Sequence, residues 1–94
     1  MLNEKQKIIN AMDQALYYTD HARIKMIERN ITREDIRMVI LHGITVGTEK
    51  EKNGTIKYKL RGRIIDGRLL AVVCVIQNGC LIITTYEATA GGKR

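Results

Sequence analysis

The sequence predicts an α+β domain in which N-terminal helices pack on one face of a four-stranded antiparallel β-meander. Two observations predict it. Up to about residue 43 the apolar residues recur at helical spacing, and from Ile44 the period changes to two. Beyond that change, Asn53-Gly54, Asp66-Gly67 and Asn78-Gly79 cut the chain into runs of strand length, and each pair favours a tight type I′ hairpin turn. The length of 94 residues fits one domain over 1–94, with helices over about 4–42, the sheet over about 44–87 and a loose tail over 88–94.

Within residues 4–16, Ile8, Ile9, Met12 and Leu16 form one apolar stripe, which predicts a first helix. Tyr17 and Tyr18 interrupt it. Thr19 and Asp20 then offer N-cap oxygens for a second helix from about His21, and Asn30, tolerant of left-handed backbone, ends it. Thr32 starts a third, with Asp35 in a capping-box position, Ile36, Val39 and Ile40 on the apolar side, and Gly43 closing it. Strands are expected at about 44–52, 55–65, 68–77 and 80–87. The second alternates, with Ile56, Tyr58 and Leu60 pointing one way and Lys57, Lys59, Arg61 and Arg63 the other. The third is apolar on both faces, which places it inside the sheet.

Two-residue turns at Asp66-Gly67 and Asn78-Gly79 would align Arg61, Val72 and Thr85 in one cross-strand row. Lys59, Cys74 and Ile83 share that face, which has a basic rim and is expected to be open. The opposite face, with Tyr58, Leu60, Val73, Val75, Ile82, Thr84 and Tyr86, is more apolar and is assigned to the helices. Any bulge would shift the register by one and exchange the faces. Cys74 and Cys80 fall on opposite faces in this register. Two cysteines make no disulfide framework, so both are read as buried apolar residues in a reducing cytosol.

Aromatics are few, four tyrosines without Phe or Trp, so the core is built from Ile, Leu, Val and Met. The net charge of +6 favours an anionic partner, RNA or DNA being the commonest. The N-terminus lacks a signal-peptide pattern and no run is long enough to span a membrane, so a cytoplasmic protein without membrane contact is expected. No Cys-x-x-Cys, His-x-x-x-His or P-loop spacing occurs, and no metal or cofactor is expected. Gly91-Gly92 lies in the tail and gives no phosphate loop.

His21, Lys25 and Arg29 stand at i, i+4 and i+8 and so share a helix face, with Arg23 on another. Imidazole suits acid–base work near neutrality, and the cations suit phosphate. The alternative is an ordinary solvated face in which Glu28 pairs with Lys25. On the sheet, Arg61 and Thr85 offer a guanidinium and a hydroxyl, Lys59 and Arg63 a basic rim. Tyr86 is read either as core with a polar tip or as a second hydroxyl.

The segment His21-Ala-Arg-Ile-Lys-Met-Ile-Glu-Arg29, followed by Ile31-Thr32-x-Glu34-Asp35-Ile36, resembles a bacterial family catalogued as domain of unknown function 4258. The family pattern falls on His21, Ala22, Lys25, Met26, Glu28, Arg29, Ile31, Gly43 and the strand ending Thr85-Tyr86, over roughly residues 17 to 87. Position 25 departs from it: Lys keeps the charge of the family's Arg but lacks the bidentate fork. The family in turn resembles RelE- and barnase-like ribonuclease toxins. The resemblance implies a metal-independent endoribonuclease of a toxin–antitoxin system, acting on RNA on or off the ribosome and paired with a cognate antitoxin. It implies His21 as acid or base, Arg29, Arg61 and Lys25 on phosphate, and Thr85 with Tyr86 as orienting hydroxyls, Lys59 and Arg63 completing the basic surface. A non-catalytic RNA-binding or protein-interaction module, an inactive toxin-like domain, and a homodimer built on the exposed sheet stay open.

Overall fold

The computed structural model describes residues 3–88. Of the expected tail over 88–94, Ala88 is described and its amide donates to the Leu69 carbonyl, while the rest, Gly91-Gly92 included, lies outside the described residues. Helix α1 (Glu4–Gln14) is followed by strand β1 (Leu16–Tyr18), helices α2 (Asp20–Glu28) and α3 (Arg33–His42), and strands β2 (Ile44–Lys50), β3 (Ile56–Arg63), β4 (Leu69–Ile76) and β5 (Cys80–Glu87). The α+β class stands, but the sheet has five strands in the order β1-β5-β4-β3-β2, and it is mixed and open. The added strand is Leu16-Tyr17-Tyr18, which pairs parallel with Cys80-Leu81-Ile82 of the last strand. No helix of the described residues is long and apolar enough to cross a membrane.

Local chemistry accounts for the helix ends. Asn3 caps α1 by accepting from the Gln6 amide, and Thr19 caps α2 by accepting from the Ala22 amide. Thr32 and Asp35 form a full capping box on α3. Asn30 takes a left-handed φ of 54° after α2. Gly43 closes α3 for a different reason than expected. Its φ of −80° is open to any residue, but a Cβ there would lie 2.5 Å from the carbonyl oxygens of Arg61 and Val39. Gly62 faces it across the same contact, so the α3 terminus rests on β3 backbone to backbone.

The core lies between the helices and one sheet face, with Ile8, Met12, Ile36, Val39 and Ile40 against Tyr58, Leu60, Leu70, Val72, Cys74, Cys80 and Ile82. Tyr58, Leu60 and Ile82 face the helices as expected, but Val72 and Cys74 stand there in place of Val73 and Val75, and the turns explain the correction. At Asp66-Gly67 the Ile64 amide donates to the Arg68 carbonyl and the Gly67 amide to the Ile64 carbonyl. With Gly67 at a φ of 95°, this is a three-residue loop, not a two-residue type I′ turn. Asn53-Gly54 is built alike, the Gly54 amide donating to the Glu51 carbonyl. The β3–β4 register therefore moves by one residue, and Arg61 faces Ala71 rather than Val72.

The last hairpin is shifted too, with Ile76 opposite Cys80, but a bulge in β5 restores the expected pairing of Val72 with Thr85. Val72 now faces the helices, so Thr85 does as well. Tyr86 moves to the outer face, opposite Ala71, and Thr84 joins it opposite Val73. Cys74 and Cys80 share the buried face and are both reduced, contrary to the expected opposite placement. Contact with the Cys80 thiol, then burial, pushes the Cys74 thiol well above its ordinary range.

Candidate active site

Strand β1 is only three residues long, so it covers β5 no further than Ile82. Beyond that point the β5 edge is taken by α2, and Thr19 makes the joint. Its amide donates to the Ile82 carbonyl, and its hydroxyl donates to the Ile83 carbonyl at 2.8 Å while accepting from the Ala22 amide. The bulge at Ile83–Thr84 sits beside this joint. It turns the Thr84 hydroxyl toward the first turn of α2, where it lies 3.0 Å from His21 Nε2. Neutral Nε2 would accept from Thr84, and protonated Nε2 would donate to it.

Thr84 belongs to the outer face of the sheet, and the cations of β3 share that face. Gly47, Lys59, Val73 and Thr84 form one cross-strand row, and Ile44, Arg61, Ala71 and Tyr86 the next. The Lys59 ammonium sits over the Tyr86 ring, 5.5 Å from its centroid. Histidine, hydroxyl, ammonium, guanidinium and phenol thus border one solvent-facing surface. A shallow hollow of about 180 Å³ beside Lys59 and Val73 is walled by Gly47, Thr48, Glu49, Lys57 and Tyr58.

The expected site residues separate into groups. His21, Lys59, Arg61 and Tyr86 share the outer surface or its border. Thr85 does not. It is fully buried, and its hydroxyl donates to the Ala71 carbonyl at 2.8 Å. Its neighbour Thr84 holds the accessible hydroxyl, and no alternation rule could have found it, because the bulge places it. Lys25 is engaged with Glu28 at 3.6 Å, the pairing the charge row allowed. Arg29 caps the far end of α2, about 12 Å along the helix from His21. Arg63 braces its own hairpin by donating to the Gly67 carbonyl at 2.9 Å.

Arg68 was not singled out by the sequence. Its guanidinium donates to the carbonyls of Arg29 and Asn30, at 2.6 and 2.9 Å, and so supplies a cation to the C-terminal end of α2. It also pairs with Asp66 at 2.8 Å and Glu87 at 3.3 Å. Hydrogen bonds from the Arg68 amide and side chain hold the Asp66 carboxyl below its ordinary range. Thr19 and Arg68 therefore clamp α2 at its two ends, and His21 is held beside the sheet.

Searches of curated proteins and of solved structures find no match to the chain. The family described as Domain of unknown function (DUF4258) matches residues 18–87. The match begins at the last residue of β1 and ends at the last residue of β5, so it takes in α2, α3 and the whole meander while leaving out α1. With that share of its length matched, the chain belongs to the DUF4258 family of domains of unknown function.

Proposed function

We propose that the chain is a metal-independent endoribonuclease whose site is the His21 border of the outer sheet face. One observation carries the reading: His21 Nε2 lies 3.0 Å from the Thr84 hydroxyl, on the face that bears Lys59, Arg61 and Tyr86. The net charge of +6 agrees with an RNA substrate. With its Nε2–H donating to the Thr84 hydroxyl, neutral His21 offers an unprotonated Nδ1 to a ribose 2′-hydroxyl as base. The 2′-oxygen bonds to phosphorus, the P–O5′ bond breaks, and the leaving 5′-oxygen takes a proton from charged His21 or from water. Lys59 and Arg61 hold the phosphate as its charge grows, and Tyr86 orients it. On the sequence expectation of a RelE- and barnase-like toxin, we read this activity as half of a cytoplasmic toxin–antitoxin pair, with a cognate antitoxin as partner.

The test is purified protein on single-stranded RNA, with and without EDTA, beside His21→Ala. Cleavage to 2′,3′-cyclic phosphate ends is expected with and without EDTA, and the variant should cut far more slowly. Intact RNA with wild type, or equal cutting by the variant, overturns the reading. A second reading is a binding module without turnover. It is favoured by His21 being the sole histidine or carboxylic acid among the residues assigned to this site. It expects RNA retained with steep salt dependence and no products.

A further inference from the structure

Helix α2 is apolar in two directions. Ala22 is buried and Met26 packs against the core, whereas Ile24 is 53% exposed and Ile27 is 81% exposed. At about 100° per residue, Arg23 and Ile27 lie on the flank of α2 opposite the one that carries His21, Lys25 and Glu28. That second flank borders a groove of about 520 Å³ lined by Tyr18, Arg23, Met26, Ile27, Asn30 and Ile31. Tyr18 lines it with a hydroxyl that is shielded from solvent and has no hydrogen-bond partner among the described residues. Burial raises the pKa of this phenol against the opposing pull of Arg33 and Arg37, so it stays a protonated donor lacking an acceptor, a costly state.

We propose that this groove docks an acidic polypeptide segment carrying apolar side chains along one edge. The charges favour that occupant. Arg23 lines the groove and makes no ion pair with a described residue. A second copy of a chain with a net charge of +6 would bring like charges together. A nucleic acid would gain nothing from burying Ile24 and Ile27. An acidic segment places a carboxylate against Arg23 and covers Ile27. The inference does not rest on the ribonuclease reading, because the groove and His21 lie on opposite flanks of α2.

The experiment titrates the ¹⁵N-labelled full chain with a panel of fluorescein-tagged synthetic helical peptides, leucine at i, i+3, i+4 and i+7 and glutamate between. Anisotropy gives affinity and amide shifts give location. Shifts are expected at Tyr18, Arg23, Met26, Ile27 and Ile31. Ile27→Asp and Arg23→Glu should each weaken binding about tenfold or more, the loss expected of a residue central to an interface, with the amide shifts of β3 and β4 unchanged to certify the fold. The proposal is overturned if no peptide of the panel moves these residues. It is also overturned if peptides with glutamine for leucine bind equally well, if shifts fall on the outer sheet face, or if oligouridylate moves the groove residues. A dimer of the chain alone that Ile27→Asp dissolves would assign the groove to a second copy and overturn it as well.

Discussion

On one flank of α2, His21, Lys25 and Glu28 stand in a polar row whose first member reaches Thr84. On the other, Arg23 and Ile27 border an apolar groove against Tyr18 and Ile31. The same short helix produces both because it lies along the edge of the sheet and not over its centre. α3, which packs on β3 and β4, buries Ile36, Val39 and Ile40 on one side and has an ordinary amphipathic pattern. An edge helix has a narrow inward stripe and two free flanks, so each flank can meet a different ligand. Its sequence then looks poorly patterned, although each flank is internally consistent.

The sharpest way to break this comparison is to silence one flank and watch the other. Under the ribonuclease reading, His21→Ala should lower cleavage by about 10²- to 10⁴-fold, measured by gel assay on labelled RNA, with peptide capture in the groove unchanged. Next, Lys59→Ala with Arg61→Ala should weaken RNA binding. It should also reduce the slope of log K against log salt by about 0.7 for each phosphate that is no longer neutralised, read by filter binding over a salt series. Arg29→Ala and Arg63→Ala should leave that slope close to wild type, since one sits at the far end of α2 and the other braces a hairpin.

Stability measurements probe the clamp between the two flanks. Thr19→Ala removes the α2 cap and the link to the Ile83 carbonyl together, and should cost about 1–2 kcal/mol in urea unfolding. Ile27→Asp should change unfolding by less than about 0.5 kcal/mol, because the side chain is 81% exposed. The smallest effect is a titration. Asp66 has a depressed pKa in the folded chain, so its pairing with Arg68 is present above the unfolded carboxyl pKa and is lost as pH falls through the folded value. The Asp66 carboxyl-carbon shift should titrate below the usual carboxylate range, and Arg68→Ala should return the midpoint toward it.

Much of the fold was legible because local chemistry dictated it. The caps at Thr19 and Thr32, the left-handed Asn30 and the three glycine turns are decided within a few residues of themselves. The sheet faces were not, because a three-residue loop and a two-residue turn can share the dipeptide Asp-Gly and differ by one in register. That one residue sent Thr85 inward and Tyr86 outward. The bulge at Thr84 carries no sequence mark, since Ile83-Thr84-Thr85 reads as plain strand. Strand β1 was missed because three residues show no period and the partner lies across the chain. Charge and spacing point to His21 and Arg61, which lie at the outer face or its border, whereas Arg68 acts through carbonyls of residues far from it in sequence.

The pairing of Leu16-Tyr17-Tyr18 with Cys80-Leu81-Ile82 also sets an order of events during synthesis. The N-terminal part leaves the ribosome first, yet the strand that receives β1 and anchors α2 is the last to appear. The three hairpins can form as they emerge, since each joins neighbours. Strand β1 and helix α2 take their places on the sheet only once residues 80–84 are free to pair with them. The Thr84 partner of His21 on the polar flank of α2 is therefore among the last parts to arrive. A chain stopped within the last hairpin would have a partial sheet and no Thr84 hydroxyl beside His21.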